Sequence, residues 1–571
     1  MPNGRGQLGY DYNYFLPYLL AGEQWIRANG WLSPPYFTPA FCGGMPWLAI
    51  PQSMVWSLPQ ILFDAVGPGQ AIRWTYALMD ALGALGTWLL LRRAFRTSAD
   101  AATLGAVLFA VNGFLVYRIA IGHLTYQVFG LVPLLAVLAL WDGGRDAVGI
   151  ACRMAAVALL LAAMVFAGAL NFVMPMVLST AAIILARQTR DGLRLVPWLV
   201  LAGGCVWSIP ISAIKLVPAA IFVPHYPRNY LDSGLFSTIP GMLGYALRSF
   251  AIPGTLPDTI ALGAGRLVLG LHEFEFGVTI VPFILLVAAI VAVTWRKPRH
   301  PYVWAGLFII LLFPFGLSAG GQGWERLLAD LPIINNNSVM TRWWAIDILP
   351  AIVAGALSLD RVFQKTVWRH AALAAGAAVA IAQSAAHPAA YYANGSVFPP
   401  YQPQGIARAH AALAAGGSLP AIGTVGPALA PADGANASMD GLLRGVSSLP
   451  CYEPVFGYNL EWLPKNALRS GSIASGGDAA RNLADPRCYL DAGDRGCRPG
   501  AALRADDTAA TAAFTRYRPM PWKAPLWQRV ASGATAIALA ASFLMMCIAA
   551  ARLLYRVGIL PRTKPPPAAG T

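Results

Sequence analysis

An aspartate near the start of the chain stands in a segment whose residue types suit acid–base chemistry. Residues 9–17 read Gly-Tyr-Asp-Tyr-Asn-Tyr-Phe-Leu-Pro and place the carboxylate of Asp11 among aromatic side chains. A carboxylate in such a loop can remove a proton from a hydroxyl group within hydrogen-bond reach. The alternative is structural: Asp11 is then a turn residue or a helix cap. The positions of other charged groups favour one reading or the other.

Charged residues within or beside apolar stretches are the next candidates, because a charge inside a membrane is costly and often functional. Lys215 and Arg342 lie near the ends of two such stretches, where the phosphate of an anionic lipid would lie. The alternative for Arg342 is a side chain that reaches from a helix end to the membrane surface. Asp80 and Asp347 lie deeper in apolar sequence, and for Asp80 a buried hydrogen-bonded group is the structural alternative.

Three more polar residues are candidates for secondary contacts with a substrate. His123 lies in a short segment between two apolar stretches, and Glu273 and Glu275 flank Phe274 just before another. The structural alternatives are a turn residue for His123 and solvated loop charges for the two glutamates. These residues are candidates for substrate contacts only if the fold places them close to Asp11.

The elements that must position these residues are membrane helices. The chain has 571 residues, of which 57% are hydrophobic and 12% charged, and its mean hydropathy is +0.54. These values are typical of a multi-pass membrane protein and exclude a soluble protein of this size. The basic residues lie in short loops between apolar stretches and form no aromatic-interleaved run, so we expect no nucleic-acid partner.

The predicted fold is an all-α polytopic membrane protein with about 11 transmembrane helices. We predict the spans at residues 71–91, 99–118, 124–141, 148–168, 170–187, 195–222, 277–294, 302–318, 343–360, 368–386 and 527–552. Arg-rich loops alternate with these spans and define one cytoplasmic side, which also receives the C-terminal tail.

This topology divides the chain into three regions. Residues 1–386 form the membrane module, with external loops 1–70 and 223–276. Residues 387–526 form an external soluble domain of α+β or β-rich type, and residues 527–571 are the last transmembrane helix and the cytoplasmic tail. Because loop 1–70 lies outside and Met1 to Gly9 has no signal-peptide features, we expect one more helix to be encoded upstream of Met1.

Two segments of the first loop are predicted to be helical without being plain spans. Residues 14–26 fit a short amphipathic helix at the membrane interface. Residues 45–66 are apolar but contain Pro46, Pro51 and Pro59, so we predict a re-entrant or interfacial helix pair that neighbouring protein must cover.

Seven cysteines are spread along the chain, three of them in the soluble domain. Cys488 and Cys497 close a short loop and are a plausible disulfide in an oxidising compartment. No Cys-x-x-Cys spacing for a metal is present.

Four short segments share their order and spacing with a known family. They are Asp-Tyr-Asn-Tyr-Phe-Leu-Pro around Asp11, the turn Gly122-His123 that leads to Val-Pro-Leu-Leu, residues 272–277, His-Glu-Phe-Glu-Phe-Gly, and residues 341–344, Thr-Arg-Trp-Trp. In these segments the chain resembles the C-type fold (GT-C) of membrane glycosyltransferases, in its YfhO-type branch. The resemblance covers roughly residues 8–365.

This resemblance implies a bacterial inner-membrane enzyme that takes a hexosyl or pentosyl group from a polyprenyl-phosphate donor. Asp11 matches the acidic residue of the family's first external loop, and the acceptor is a glycan, a lipid or a protein. Arg342 and Lys215 would bind the donor phosphate. Many members have a second acidic residue where this chain has His123, so a divalent cation, Mg²⁺ or Mn²⁺, is an open expectation.

Two other functions stay open at this stage. A lipid or polysaccharide transporter or flippase would show polar residues that reach both faces and broken helices in related positions. A non-catalytic membrane scaffold would act through residues 387–526. Convergence of Asp11, His123, Glu275 and Arg342 on one outward-facing site would favour the enzyme.

Overall fold

The computed structural model of the chain is mostly helical. It describes residues 6–222, 236–385 and 400–556 apart from short internal gaps at 145, 237, 253–258, 263–266, 293–299, 320–323, 325, 329–330, 332–333, 335–338, 427–438, 450–451, 454–457, 460–467, 476–478 and 491–500. The predicted external regions 223–276 and 387–526 therefore fall partly outside the described residues, as does Cys497.

Helices occur along the whole described part of the chain. The α-helices are Tyr12–Asn29, Leu58–Val66, Pro68–Leu89, Ala99–Ala110, Gly113–Ile121, Val132–Leu140, Ala147–Phe166, Val173–Asp191, Leu195–Ile211, Ala213–Phe222, Ile239–Ala251, Val281–Ala292, Pro301–Ser318, Ile348–Val362, Thr366–Ala385, Gln404–Ala414, Arg487–Leu490, Thr508–Thr515 and Leu526–Arg556. The 3₁₀-helices are Leu124–Leu131, Leu170–Phe172, Leu271–Glu273, Met340–Asp347, Asp440–Arg444 and Ile473–Ser475, and a π-helical turn covers Leu90–Ala94.

Five described helical segments are long and apolar enough to cross a membrane: Ala99–Ile121, Ala147–Phe166, Leu170–Asp191, Pro301–Ser318 and Leu526–Tyr555. A sixth span results if Leu195–Ile211 and Ala213–Phe222, which meet at 78°, form one broken helix. Shorter apolar helices cover Leu124–Leu140 and Val281–Ala292. These segments agree with a multi-pass membrane protein, and the finer count of about 11 spans stays a prediction.

The strands are short and lie outside the long apolar helices. Antiparallel pairs join Phe37–Thr38 to Met45–Pro46, Thr259–Leu262 to Leu267–Gly270, Tyr452–Glu453 to Tyr458–Asn459, and Ala480–Ala484 to Ala502–Arg504. In a three-stranded sheet, Thr424–Gly426 pairs in parallel with Val446–Ser448 and antiparallel with Gly471–Ser472. The described part of residues 387–526 thus combines small sheets with helices.

The helix predicted at residues 14–26 forms, as Tyr12–Asn29, but its surroundings differ from the prediction. From Tyr14 to Ile26 every side chain is buried, whereas an interfacial helix would expose one face to lipid or water. The helix lies in a hydrophobic cluster with side chains of residues 37–55 and of residues 401–517. It is therefore a core helix, and the interfacial prediction is wrong.

The predicted helix pair at residues 45–66 is also corrected. One helix forms there, Leu58–Val66, and the part before it consists of a two-residue strand and turns. Pro46 and Pro51 lack the backbone N–H that a helix needs, and Ser57 accepts a hydrogen bond from the Gln60 N–H and starts the helix. The irregular part is buried by protein, as the prediction required.

The described part of residues 387–526 packs on the N-terminal segment, which we define as residues 6–70. Leu8 and Tyr401 exchange backbone hydrogen bonds of 2.9 and 2.8 Å, and the Leu419 N–H donates to the Gln24 side chain over 2.8 Å. Buried apolar side chains of both regions belong to one cluster. The domain that we predicted as separate therefore shares a core with the N-terminal segment.

A disulfide ties the same two regions together. Cys42 and Cys488 are both disulfide-bonded, whereas Cys152, Cys205 and Cys547 are free. The other cysteines of the sequence all lie in residues 387–526, so the Cys42 bond joins the N-terminal segment to that region whichever partner it has. The pairing of Cys488 with Cys497 stays a prediction, because Cys497 lies outside the described residues.

Candidate active site

The site begins where the N-terminal segment touches a turn between two membrane helices. Helix Gly113–Ile121 starts at Asn112, whose side chain accepts from the Leu115 N–H over 3.0 Å. It ends at Gly122, which has a φ of +107° in the left-handed region that favours glycine. His123 follows directly, so the end of this helix determines the position of the His123 side chain.

Two glycines allow the backbones to approach each other. A Cβ on Gly9 would lie 2.0 Å from the Ala120 carbonyl oxygen, and one on Gly122 would lie 2.5 Å from the Tyr12 nitrogen. The Asp11 N–H donates to the Ile121 carbonyl over 2.8 Å, which locks this contact. A side chain at either glycine would push Asp11 away from the turn.

Asp11 stands at the N-cap position of helix Tyr12–Asn29, but its side chain makes no capping hydrogen bond. Its Oδ2 lies 2.5 Å from Nε2 of His123 instead. The Asp11 side chain is 24% exposed and that of His123 is 13% exposed. The structural alternative from the sequence, a cap or turn residue, therefore describes the backbone of Asp11 and not its carboxylate.

Arg118 contacts the other nitrogen of the His123 ring. Its Nη1 lies 2.5 Å from His123 Nδ1. A guanidinium has only donors, so Nδ1 must accept this bond, and in a neutral imidazole the proton is then on Nε2. Nε2–H donates to Asp11. The two contacts together define one tautomer of His123 and one direction for the hydrogen bond to the carboxylate.

The Glu273 carboxylate accepts hydrogen bonds from two arginines, Arg118 and Arg342. Its Oε2 accepts from Arg118 Nη2 over 3.1 Å and from Arg342 Nε over 2.6 Å, and its Oε1 accepts from Arg342 Nη2. The Glu273 backbone carbonyl accepts from the Thr341 hydroxyl over 2.9 Å. The residues from Asp11 to Arg342 are thus linked through His123, Arg118 and Glu273. We name this set the relay cluster.

Aromatic rings surround the cations of the relay cluster. The Arg118 guanidinium lies 4.3 Å from the centroid of the Tyr126 ring and 5.1 Å from that of Phe114. His123 stacks on the same Tyr126 ring at 5.4 Å. Cation–π contacts of this kind favour a charged group at a buried position. They also restrict the rotation of both side chains.

Burial and charge set the protonation of the two groups that lie outside the spans. Burial lowers the pKa of His123 to about 4, against the opposing effect of Asp11, so the ring is neutral near pH 7. For Glu273 burial acts to raise the pKa, but Arg118 and Arg342 outweigh it and hold the pKa well below the usual value. The carboxylate is therefore charged, and the imidazole is a neutral donor.

The structure brings Asp11, His123 and Arg342 together, three of the four residues whose convergence we considered from the sequence, but the glutamate that joins them is Glu273 and not Glu275. Glu275 lies elsewhere in the same short segment: it is buried and acts on Tyr245, whose pKa is raised by burial and then by the Glu275 charge. Of the two glutamates, the one that joins the relay cluster is Glu273.

Lys215 contacts the N-terminal segment. Its ammonium is buried and donates to the Ser53 carbonyl over 2.5 Å. Gln52, the neighbour of Ser53, and Thr125, two residues after His123, both pack against Gly168: a Cβ on this glycine would lie within 2.8 Å of each. The segment that Lys215 contacts therefore lies near the turn of His123. The Ser53 carbonyl of the N-terminal segment is thus one partner of Lys215, and the predicted role of Lys215 at the donor phosphate stays untested.

Arg118 and His272 were missed as site residues in the sequence. Arg118 reads as the last, charged residue of an apolar span, and His272 as one polar residue of an external loop. The available signal was the charge itself, because an arginine within a membrane helix needs a partner. His272 is buried, with its ring centroid 4.9 Å from that of His123 and Nε2 3.4 Å from Glu273 Oε1.

The donor set for a cation is present, but its arrangement does not fit one. Asp11, His123 and His272 each offer a ligand atom within 4.8 Å of the others, and two imidazoles suit a transition metal better than Mg²⁺. A metal–nitrogen bond needs a lone pair, however, and in His123 Nδ1 faces Arg118 while Nε2 carries the proton. We therefore derive no step through a metal, and the expectation of Mg²⁺ or Mn²⁺ stays untested.

Comparison with known proteins adds no family to this description. No protein-family model, no curated protein and no solved structure matches the chain. The proposed function therefore rests on the geometry of the relay cluster.

Proposed function

We propose that the protein is a membrane glycosyltransferase that moves a sugar from a polyprenyl-phosphate donor to an acceptor hydroxyl on the external face. The observation that carries the proposal is the convergence of Asp11, His123, Glu273 and Arg342 through direct contacts. These residues lie far apart in sequence, and each of them, taken alone, could have a purely structural role. A shared cluster is hard to reconcile with four independent structural roles.

Asp11 is the general base in this proposal. Its carboxylate is partly exposed, and one of its oxygens is already held by His123. The carboxylate takes the proton of the acceptor hydroxyl, the acceptor oxygen bonds to the anomeric carbon of the sugar, and the bond from that carbon to the phosphate oxygen breaks. The electron pair leaves with the polyprenyl phosphate, so atoms and charges balance. A positioned base of this kind contributes about 10²–10⁴-fold.

Arg342 is the group that receives the leaving phosphate. Two guanidinium groups, those of Arg118 and Arg342, share the single carboxylate of Glu273, so this part of the cluster keeps a positive charge. The Arg342 side chain is 13% exposed, whereas that of Arg118 is fully buried. Arg342 is therefore the cation that an incoming phosphate can reach, and positive charge where negative charge develops lowers the barrier.

The proposal includes a location. The relay cluster and residues 387–526 lie on the periplasmic side of a bacterial inner membrane, and the C-terminal tail lies in the cytoplasm. The disulfide of Cys42 supports this side, because disulfides persist in oxidising compartments. The acceptor and the sugar are left open.

The test is sugar transfer by membranes that contain the protein. Radiolabelled polyprenyl-phosphate hexoses and pentoses are supplied in turn, and label that becomes separated from the polyprenyl phosphate is measured for the wild type, Asp11→Asn and Glu23→Gln. Glu23 is a matched control, because it is a second carboxylate next to a histidine in the same N-terminal segment. We expect Asp11→Asn to lose about 10²–10⁴-fold and Glu23→Gln to keep its rate. Equal rates for the wild type and Asp11→Asn would contradict the proposal.

A further inference from the structure

We infer that Arg118 is a positioning residue that makes His123 a hydrogen-bond donor to Asp11 and thereby keeps a cation out of the site. The inference rests on the proposed function only in taking Asp11 as the base. It assigns roles to two residues, Arg118 and His123, through the direction of their hydrogen bonds.

The direction of each bond follows from the chemistry of its partner. Arg118 sends one nitrogen to Glu273 Oε2 over 3.1 Å and another to His123 Nδ1 over 2.5 Å. Because the guanidinium is planar and always protonated, its two donors have a fixed relative direction. Glu273 therefore orients Arg118, and Arg118 in turn orients the ring of His123. Asp11 receives the only proton of the neutral ring.

This arrangement has two consequences for Asp11. The bond from Nε2–H stabilises the ionised carboxylate and holds it at one orientation, with Oδ2 turned to the histidine. The other consequence concerns cations, since a ring without an available lone pair cannot be a ligand. Without Arg118, His123 could present Nε2 as a lone pair, and Asp11, His123 and His272 would become a three-ligand set for a transition metal.

The experiment exchanges Arg118 for a side chain of similar length without donors, Arg118→Met. Protein is purified without a polyhistidine tag and titrated with Co²⁺, whose visible absorption reports nitrogen and oxygen ligands. We expect no cobalt band in the wild type and one bound Co²⁺ in Arg118→Met. Adding Asp11→Asn or His272→Asn to that variant abolishes the band. Transfer by Arg118→Met falls about 10–100-fold in kcat with KM unchanged, as for other residues that orient a reactive group.

Arg118→Met leaves Glu273 with one guanidinium fewer, so folding is checked by gel filtration and thermal unfolding. If the single variant is unstable, Arg118→Leu, which also lacks donors, gives the same cobalt readout, and Arg342 still neutralises Glu273 in both variants. A wild type that binds Co²⁺ as tightly as Arg118→Met, with loss of binding in Asp11→Asn, would overturn the inference. So would a folded Arg118→Met that binds no Co²⁺ and transfers at the wild-type rate. Because cobalt binding needs no turnover, absence of sugar transfer in the wild type would count against the proposed function alone.

Discussion

Helix Tyr12–Asn29 has a carboxylate paired with a distant histidine at its N-cap, Asp11, and another within it, Glu23, and the two pairs differ in where the arginine binds. In the first pair Asp11 meets His123, and Arg118 contacts the histidine from behind. In the second pair Glu23 meets His410 over 3.0 Å, and Arg27 contacts the carboxylate over 2.8 Å. The first carboxylate is 24% exposed, and the second is fully buried.

This difference separates a reactive pair from a structural one. At Glu23 both oxygens have a partner, because Arg27 binds Oε1 and His410 binds Oε2. The pair joins helix Tyr12–Asn29 to helix Gln404–Ala414, and so it ties the N-terminal segment to residues 387–526. At Asp11 the arginine bonds the histidine instead of the carboxylate, and the Asp11 side chain is 24% exposed. A carboxylate beside a histidine is therefore informative only when the third partner is known.

The largest effect is expected from removing the histidine of the first pair. His123→Ala deprives Asp11 of its fixed donor, and we expect sugar transfer to fall about 100-fold, within the range for a group that takes part in proton transfer. The thermal midpoint should fall as well, because the buried Arg118 Nη1 loses its acceptor, so transfer is expressed per folded molecule. Transfer assays and thermal unfolding in the same membrane preparation measure both. A His123→Ala variant that unfolds easily but keeps the wild-type transfer rate per folded molecule would contradict this prediction.

The second pair should give the opposite result. His410→Ala removes one hydrogen bond from the buried carboxylate of Glu23 and an edge-to-face contact with Phe63 at 5.5 Å. We expect a loss of about 2 kcal/mol in stability, as for a hydrogen bond to a charged group, with transfer unchanged per folded molecule. Limited proteolysis of residues 400–520 gives a second readout, since the region should become easier to cleave. Unchanged stability together with lower transfer would place His410 in the site.

The sequence revealed the candidate residues but not the difference between the two pairs. Apolar runs and loop charges sufficed to predict a helical membrane protein and to single out Asp11, His123, Glu273 and Arg342. The contacts between segments join residues that lie far apart in sequence, by 69 positions for Arg342 and Glu273 and by 155 for Arg118 and Glu273, and no local pattern encodes such pairings. Arg118 illustrates the limit: its charge was visible, but the partner on each side was not.

The environment of helix Tyr12–Asn29 was missed for a related reason. Its aromatic composition fits a membrane interface, but the residues that bury it lie in 37–55 and 401–517. Burial by distant segments leaves no trace in the helix's own periodicity. The same holds for Glu23, which is a plain charged residue of a helix in sequence and the centre of a domain contact in the structure.

The pH dependence of stability should have opposite signs at the two pairs. Burial lowers the pKa of His123 from 6.5 to about 4, so the unfolded chain takes up a proton first and stability falls as the pH drops from about 6.5 towards 4, by about 1–2 kcal/mol between pH 7 and pH 5. Burial raises the pKa of Glu23 above 4.5, despite His410 and Arg27. Its contribution is therefore present below about pH 4.5 and is lost as the pH rises through the raised pKa. Thermal midpoints of the wild type, His123→Ala and Glu23→Gln between pH 4 and pH 8 measure both slopes, and equal slopes in all three would contradict the assignment.

The smallest effect is expected at the arginine of the second pair. Arg27 is 31% exposed and binds Glu23 four residues earlier on the same helix, with a further contact of 3.2 Å to Asp64. Arg27→Gln keeps an N–H donor at this position, so we expect it to cost about 1 kcal/mol, less than His410→Ala, even though the Glu23 carboxylate is fully buried. It should leave transfer unchanged. Arg118 is fully buried and bonds both Glu273 and His123. Its loss should therefore lower transfer, which the loss of Arg27 should not. Thermal unfolding of Arg27→Gln beside transfer by Arg118→Met tests this contrast, and an Arg27→Gln variant that loses transfer would show that the second pair also serves the reaction.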